Sequence, residues 1–424
     1  MFQNFSHKIK IIFTDKTILQ KMGFVLVMFI LFRLMSTIPL PGVNAEALKS
    51  FLGNNEFFAF LSMFSGGGLT QLSIVALGVG PYITASIVMQ LMTLMIPSLK
   101  TMYHEEGEQG RKRFNQISRW LSIGFGVIQA IGLSVWMHSM GVMVSGSLFS
   151  QIIPIITMVA GSVLIMWIGE LISEFGIGNG ISMIIFAGIV ANLPASLTQG
   201  ITTYDATQIP LLIAVALIIV LMVFISVIVT EAERPIPVHY SKQVRAGYTT
   251  GGTDTYIPLR ISLAGVMPII FAGSILQLPQ MLVAFFGNTT NETMIAILQK
   301  LSGFTSANIW YMVTYFVLIF FFTYFYTAVT FDSESMANNL QKNGAFVPGI
   351  RPGNATVDYV ATILSRTTFI GATFISFIAI MPFIMQKVTG NQLFAIGGTG
   401  LLIAVSVCAD LMKKLSAQAS MREY

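Results

Sequence analysis

The chain has 424 residues, 54% of them hydrophobic and only 10% charged, with a mean hydropathy of +0.76 and a formal net charge of +5. A soluble globular domain carries about 25% charged residues, so this composition excludes one and points to an all-α polytopic membrane protein. The single cysteine, Cys408, lies in an apolar run, which excludes a disulfide framework and a cysteine-based metal site.

Apolar runs of about 20 residues mark membrane-crossing helices, and the chain contains ten in succession. The first, Met22–Ile38, follows a basic start and ends in Ile38-Pro39-Leu40-Pro41-Gly42. It lacks a small-residue cleavage pattern and reads as a span, not a cleaved signal. The second lies in a longer stretch, since Phe57 to Leu99 is 43 residues without a charge. Two spans joined by a turn would fit that length but would return the chain to the side it left. Before the stretch stand Glu46, Lys49 and Glu56, a sparse mix. After it come Lys100, Arg111, Lys112, Arg113 and Arg119, a basic cluster of the cytoplasmic kind. The stretch therefore crosses once and has a surplus, which contains the helix-breaking Ser65-Gly66-Gly67-Gly68. The surplus reads as a re-entrant piece, about Phe57–Leu72, ahead of a span Ser73–Ile96. Non-helical backbone at membrane depth persists only where protein or a water-filled cavity satisfies it, which predicts a cavity inside a helix bundle with this piece in it. The remaining spans are Ile117–Met137, Ile152–Ile172, Ile181–Leu197, Ile209–Val229, Ile261–Phe286, Ile309–Val329, Thr368–Met385 and Leu393–Ala409.

With the N-terminus inside, 19 of the 23 lysines and arginines fall in cytoplasmic segments. Lys49, Lys300 and Lys387 fall outside, and Arg33 lies within the first span. This bias sets the orientation and makes the net charge mostly a matter of topology. Attraction to nucleic acid or anionic headgroups is secondary. The inside loops Pro97–Gln116, Thr230–Arg260 and Thr330–Thr367 are long, which fits either docking of a cytosolic partner or plain linkers. Five spans precede the Gln199–Ile209 connection and five follow. An odd number per half places the halves in opposite orientation, as in transporters built from inverted repeats with the pathway between them.

The spans hold almost no ionisable groups. Arg33 sits near the outer end of its helix, where snorkelling, helix packing and a functional role are all open. Glu170, Glu174 and Asp410 lie at cytoplasmic ends and read as solvated. Ion-coupled carriers keep charged relays at mid-membrane, so a coupled pump is disfavoured. Four scattered histidines, no His-Glu-x-x-His, no P-loop and no paired carboxylates within a span argue against an enzyme and against a cofactor. Val79/Ile83 and Ile181/Ile185 are i,i+4 pairs on single helix faces; taken alone, such pairs read as ordinary packing or lipid contact. Asn179 between glycines reads as a tight helix entry. The 25 methionines suit either gap filling or a surface accepting varied partners.

Five stretches give these residues a context: Met63-Phe64-Ser65-Gly66-Gly67-Gly68, Ala76 to Ile87, Gly176-Ile177-Gly178-Asn179-Gly180-Ile181-Ser182, Ala264 to Ala272, and Gly344 to Gly353. In this order they closely resemble motifs of the SecY family, whose members form the pore of the bacterial Sec protein translocase. The resemblance runs from the first span to the last. It implies ten transmembrane helices in two inverted five-helix halves around a central hourglass pore, with a re-entrant plug. The halves here would be 1–200, with the plug at about 57–72, and 201–424, with cytoplasmic loops 230–260 and 330–367. The plug would present Phe60, Leu61 and Phe64, with Ser65, Gly66, Gly67 and Gly68 as its flexible part. By motif position the pore ring would be Val79, Ile83, Ile181, Ile185, Ile270 and Ile403. A constriction of branched aliphatics excludes ions by dewetting and still yields to a passing chain.

The resemblance also implies partners: the small membrane subunits SecE and SecG, the SecA motor ATPase, the ribosome, signal sequences and nascent polypeptides, and membrane lipid reached through a lateral gate. No sequence-specific nucleic-acid binding is implied. Motor and ribosome would dock on the long inside loops, with Arg351 as a key residue and Arg245 and Lys242 beside it. Two departures stand out. Phe175 replaces a residue that is often charged, and the loop after the sixth span reads Glu233-Arg234-Pro235-Ile236-Pro237 where clustered arginines are common. The expected function is a passive gated protein-conducting channel in the bacterial cytoplasmic membrane, with both termini cytoplasmic and energy supplied from outside. The alternatives are an inverted-repeat small-solute transporter, which intramembrane charged pairs would favour, and an accessory family member with restricted substrates.

Overall fold

The computed structural model describes residues 14–42, 72–139, 148–203, 209–240, 243–245, 248–250, 254–261, 263–286, 308–389 and 393–420. Twelve helices lie among them: α1 (Lys16–Thr37), α2 (Gly80–Met95), α3 (Pro97–His104), α4 (Gly107–Ser139), α5 (Leu148–Phe175), α6 (Gly180–Thr203), α7 (Ile209–Glu231), α8 (Met267–Phe286), α9 (Ile309–Thr330), α10 (Ser333–Lys342), α11 (Asn354–Thr389) and α12 (Leu393–Ser420). All except the short α3 and α10 coincide with the ten apolar runs. By length and composition, five helical stretches among the described residues suffice to cross a membrane, and α2 with α3 makes a further pair, bent by 110°. The chain packs as two compact units.

The first unit comprises Met1–Leu217, Ser274–Tyr311 and Pro382–Tyr424. Helix α1 is capped by Asp15, whose carboxylate accepts from the Thr17 N–H at 2.9 Å. It buries Ile18, Val25, Phe32 and Met35 and exposes Leu26, Val27, Ile30, Leu31 and Leu34. A helix apolar on every side but buried on one has lipid as its remaining neighbour. Helix α2 starts at Gly80, seven residues later than the predicted span. Gly78, with φ of +55°, closes a turn ahead of it, and Pro81 sits in its first turn. Residues 73–79 are apolar enough to pass for membrane helix but are turns. At the other end Ile96 is extended, as a residue before proline tends to be, and α3 departs from there. The predicted loop Pro97–Gln116 is thus α3 and the first turns of α4.

The elbow between α5 and α6 is close-packed. Gly178 turns the chain with φ of +94°. The Asn179 side chain accepts from the N–H groups of Ile181 and Ser182 at 3.1 and 3.3 Å, the tight helix entry expected for it. The Gly180 N–H donates to Ser173 Oγ at 2.8 Å, and a Cβ on Gly180 would overlap the Gly169 carbonyl. Ile177 of the elbow packs with Ile18 of α1 and with Leu415 and Ala419 of α12, so the first and last helices meet there. Phe175 sets its ring edge-on to Phe24 at 6.0 Å. Glu170 is not simply solvated. It pairs with Arg119 of α4 at 2.6 Å and is one-fifth exposed.

The second unit comprises Ile218–Gly273 and Met312–Met381. The loops expected at 230–260 and 330–367 fold into five strands and α10. Strands β1 (Glu233–Tyr240), β4 (Asp254–Arg260) and β5 (Ala345–Phe346) form an antiparallel sheet in the order β4-β1-β5; β2 (Gln243–Arg245) pairs with β3 (Tyr248–Thr250). Ile236 stands opposite Ile257, and Tyr240 opposite Ala345. Pro235, Pro237 and Pro258 hide these strands from a propensity reading. β5 reaches only His239 and Tyr240, which leaves Pro235 and Pro237 on an edge, where a missing N–H is tolerated. Burial of Ile236, Leu259, Val347, Val360 and Ile363 holds the sheet on the start of α11. That helix begins at Asn354, fourteen residues before the predicted span.

Candidate pore and docking residues

The six proposed ring residues are all buried. Val79 is the N-cap of α2, and its carbonyl accepts from the Ile83 N–H one turn on, at 3.0 Å. Ile181 and Ile185 occupy the first two turns of α6. The Ile181 Cδ1 is seated at Gly169 of α5, within 2.5 Å of where a Cβ there would stand, so this member is held by helix packing. Ile403 lies on α12. Ile270 belongs to the second unit, in the first turn of α8. Among the methionines, Met89 and Met183 fill the interior, while Met92 and Met95 are exposed.

The plug residues Phe60, Leu61, Phe64, Ser65, Gly66, Gly67 and Gly68 lie outside the described residues. The flanks of that region are described, and they meet. Pro39 pairs with Ser73 as an antiparallel bridge; the Leu40 N–H donates to the Leu72 carbonyl at 2.6 Å and the Ile74 N–H to the Ile38 carbonyl at 3.0 Å. Leu72, with φ of +45°, is the one non-glycine residue in the left-handed region among those described. Gly161 of α5 lies against Ile74 of this clasp, and Ser162 donates to the Gly78 carbonyl just beyond it. The sequence offered no signal for them, because the contact joins residues 84 positions apart.

Arg351 sits exposed in the turn between β5 and α11. Gly349 and Gly353 have φ of +82° and +100°. The Arg351 carbonyl accepts from Thr356 Oγ1 at 3.0 Å, which ties the turn to the first turn of α11. The prolines and glycines thus form a defined turn, as their pattern suggests. Arg245 closes the β2–β3 hairpin opposite Tyr248, with its side chain outside the described set, and Lys242 lies outside it altogether. Among the described residues no three His, Cys, Asp or Glu side chains gather as metal ligands.

Long apolar helices with exposed apolar sides, together with two small antiparallel sheets, define a multi-pass α-helical membrane protein. A SecY family model matches residues 73–412. The chain is 41% identical to the protein translocase subunit SecY of Aquifex aeolicus, over 99% of this chain and 98% of the relative, and 39% identical to that of Staphylococcus epidermidis, over 100% and 99%. The chain belongs to the SecY family. Its fold matches a solved SecY whose plug domain is described as stabilising the closed state of the translocation channel, with a TM-score of 0.65 at 18% identity, covering 95% of this chain and 92% of that one. It also matches the yeast Ssh1 complex bound to the 80S ribosome, with a TM-score of 0.66 at 15% identity, covering 93% and 89%.

Proposed function

We infer that this chain is the channel subunit of a protein translocase: a passive, gated pore that passes unfolded secretory polypeptides across the cytoplasmic membrane and releases membrane segments sideways into lipid. The observation that carries this reading is 41% identity along essentially the whole length of a translocase subunit. Val79, Ile83, Ile181, Ile185, Ile270 and Ile403 form the ring that closes the pore, and residues 57–72 form the plug. Flanks pinned side by side at Leu40 and Leu72 suit a segment that enters and leaves on one side. Residues 1–200 and 201–424 are its two inverted halves. Arg351, Arg245 and Lys242 serve the SecA motor and the ribosome, and SecE and SecG complete the complex. A guanidinium presented on a fixed, exposed turn suits a carboxylate or backbone carbonyls of a partner.

Both termini and the segments 97–116 and 230–260 face the cytoplasm. The 19 basic residues assigned inside against three outside support that orientation. Cysteine labelling from outside intact cells should reach position 49 and fail at position 245; the reverse pattern overturns the topology. The function itself is tested in vesicles holding this chain with the small subunits and the motor. A secretory precursor should become protease-protected in the presence of ATP. A sealed membrane that protects no precursor, with all subunits present, contradicts the reading.

A further inference from the structure

Residues 73–79 follow the predicted plug and are not helical, yet Ser73, Val75, Ala76, Leu77 and Val79 are all buried, as is Leu72 at the plug's predicted end. Buried turns must satisfy their own backbone, and this strap does so partly through α5. Ser162 Oγ donates to the Gly78 carbonyl at 3.0 Å, deep in the unit. One residue earlier, Gly161 faces the Ile74 carbonyl so closely that a Cβ would overlap it, with the Ile74 carbonyl carbon at 2.8 Å and the Val75 nitrogen at 3.3 Å from that Cβ. The upstream end is fixed to the end of α1 through Ile38 and Leu40. The downstream end is Val79 itself, from which α2 and Ile83 follow by one helical turn. The strap that ends at Val79, one turn ahead of Ile83, is therefore held in part by α5, a helix that carries no ring residue.

We propose that Gly161 and Ser162 are positioning residues of the channel. They seat the 72–79 strap and so fix Val79 and Ile83, which sets how tightly the pore closes and how strong a signal sequence must be to open it. The inference rests on the ring reading above. A constriction that excludes water by its apolar walls depends steeply on their spacing. Freeing the Gly78 carbonyl gives the strap a buried polar group that water would satisfy, which favours a wetter, looser waist.

The test uses the complete complex in sealed vesicles, with two readouts: ion leak at rest and export of a precursor whose signal sequence is defective. Ser162→Ala should reach the membrane at the normal level, leak severalfold more and export the defective precursor severalfold better. Ser162→Thr keeps the hydroxyl and should restore both readouts. Gly161→Ala should leak more than Ser162→Ala; if it fails to accumulate, the two Ser162 variants decide. Ile83→Asn reports on the ring separately. A leak in Ile83→Asn with an unchanged seal in Ser162→Ala and Gly161→Ala overturns the positioning role and leaves the ring standing. An unchanged seal in all three removes the ring reading and this inference with it. Equal leak in Ser162→Ala and Ser162→Thr also overturns it, since the hydrogen bond would not be the cause.

Discussion

At the α5–α6 elbow a Cβ on Gly180 would run into the Gly169 carbonyl, whereas at Gly349 in the Arg351 turn nothing lies within 4 Å of where a Cβ would stand. Gly349 is there for its dihedral angle, with φ of +82°; Gly180 is there for distance. The helix contacts of α5 use glycine to bring two backbones together, as at Gly161 and Gly180, and small polar side chains then bond the nearby carbonyls and N–H groups. The exposed Arg351 turn uses glycine for its dihedral angles and leaves the side chain outward. A buried site held by close approach tolerates almost no added atom, while an exposed site held by turn geometry tolerates changes of size and fails on changes of charge.

The largest effect should come at the elbow. Gly180→Ala must separate α5 from α6 and should cost about 3 kcal/mol or more, seen as a large fall in thermal stability in detergent and in membrane accumulation. A loss below about 1 kcal/mol would remove the contrast between the regions. Next, Arg351→Glu should cut motor-driven export at least tenfold, with about 1.4 kcal/mol as the energetic equivalent, and should leave thermal unfolding and assembly with the small subunits unchanged. Normal export by that variant would make Arg351 an ordinary solvated arginine. Gly349→Ala should cost about 1 kcal/mol through its dihedral angle alone, with export reduced only as far as the turn is misaimed. Smallest is Asn179→Ala, which removes an N-cap worth about 1 kcal/mol or slightly less. Its Tm should fall by a few degrees while the ion seal is retained.

Lipid made much of this fold legible. A side chain facing hydrocarbon must be apolar whatever its neighbours are, so ten runs mark ten helices. The ends of those helices were not legible where other rules apply. Residues 73–79 are apolar because they are buried in protein, and what makes them a turn is Gly78 with its partners on α5. The first turns of α11 are polar on their outer side and merge into what reads as loop. β1 and β4 carry prolines, and they are strands because Ile236, Val238 and Leu259 find buried partners from 340 to 363. At the site, Val79, Ile83 and Asn179 stood in local patterns, whereas Gly161, Ser162 and the Arg119–Glu170 pair depend on contacts between distant helices that no single stretch displays.

The central claim is that an unfolded chain passes a waist of aliphatic side chains. A secretory precursor arrested in transit, in the full complex, should crosslink to photoreactive probes placed at positions 83 and 270, and should fail to crosslink to a probe at Leu26 on the exposed, lipid-facing side of α1. Crosslinks at neither ring position, with the precursor demonstrably spanning the membrane, would contradict the account.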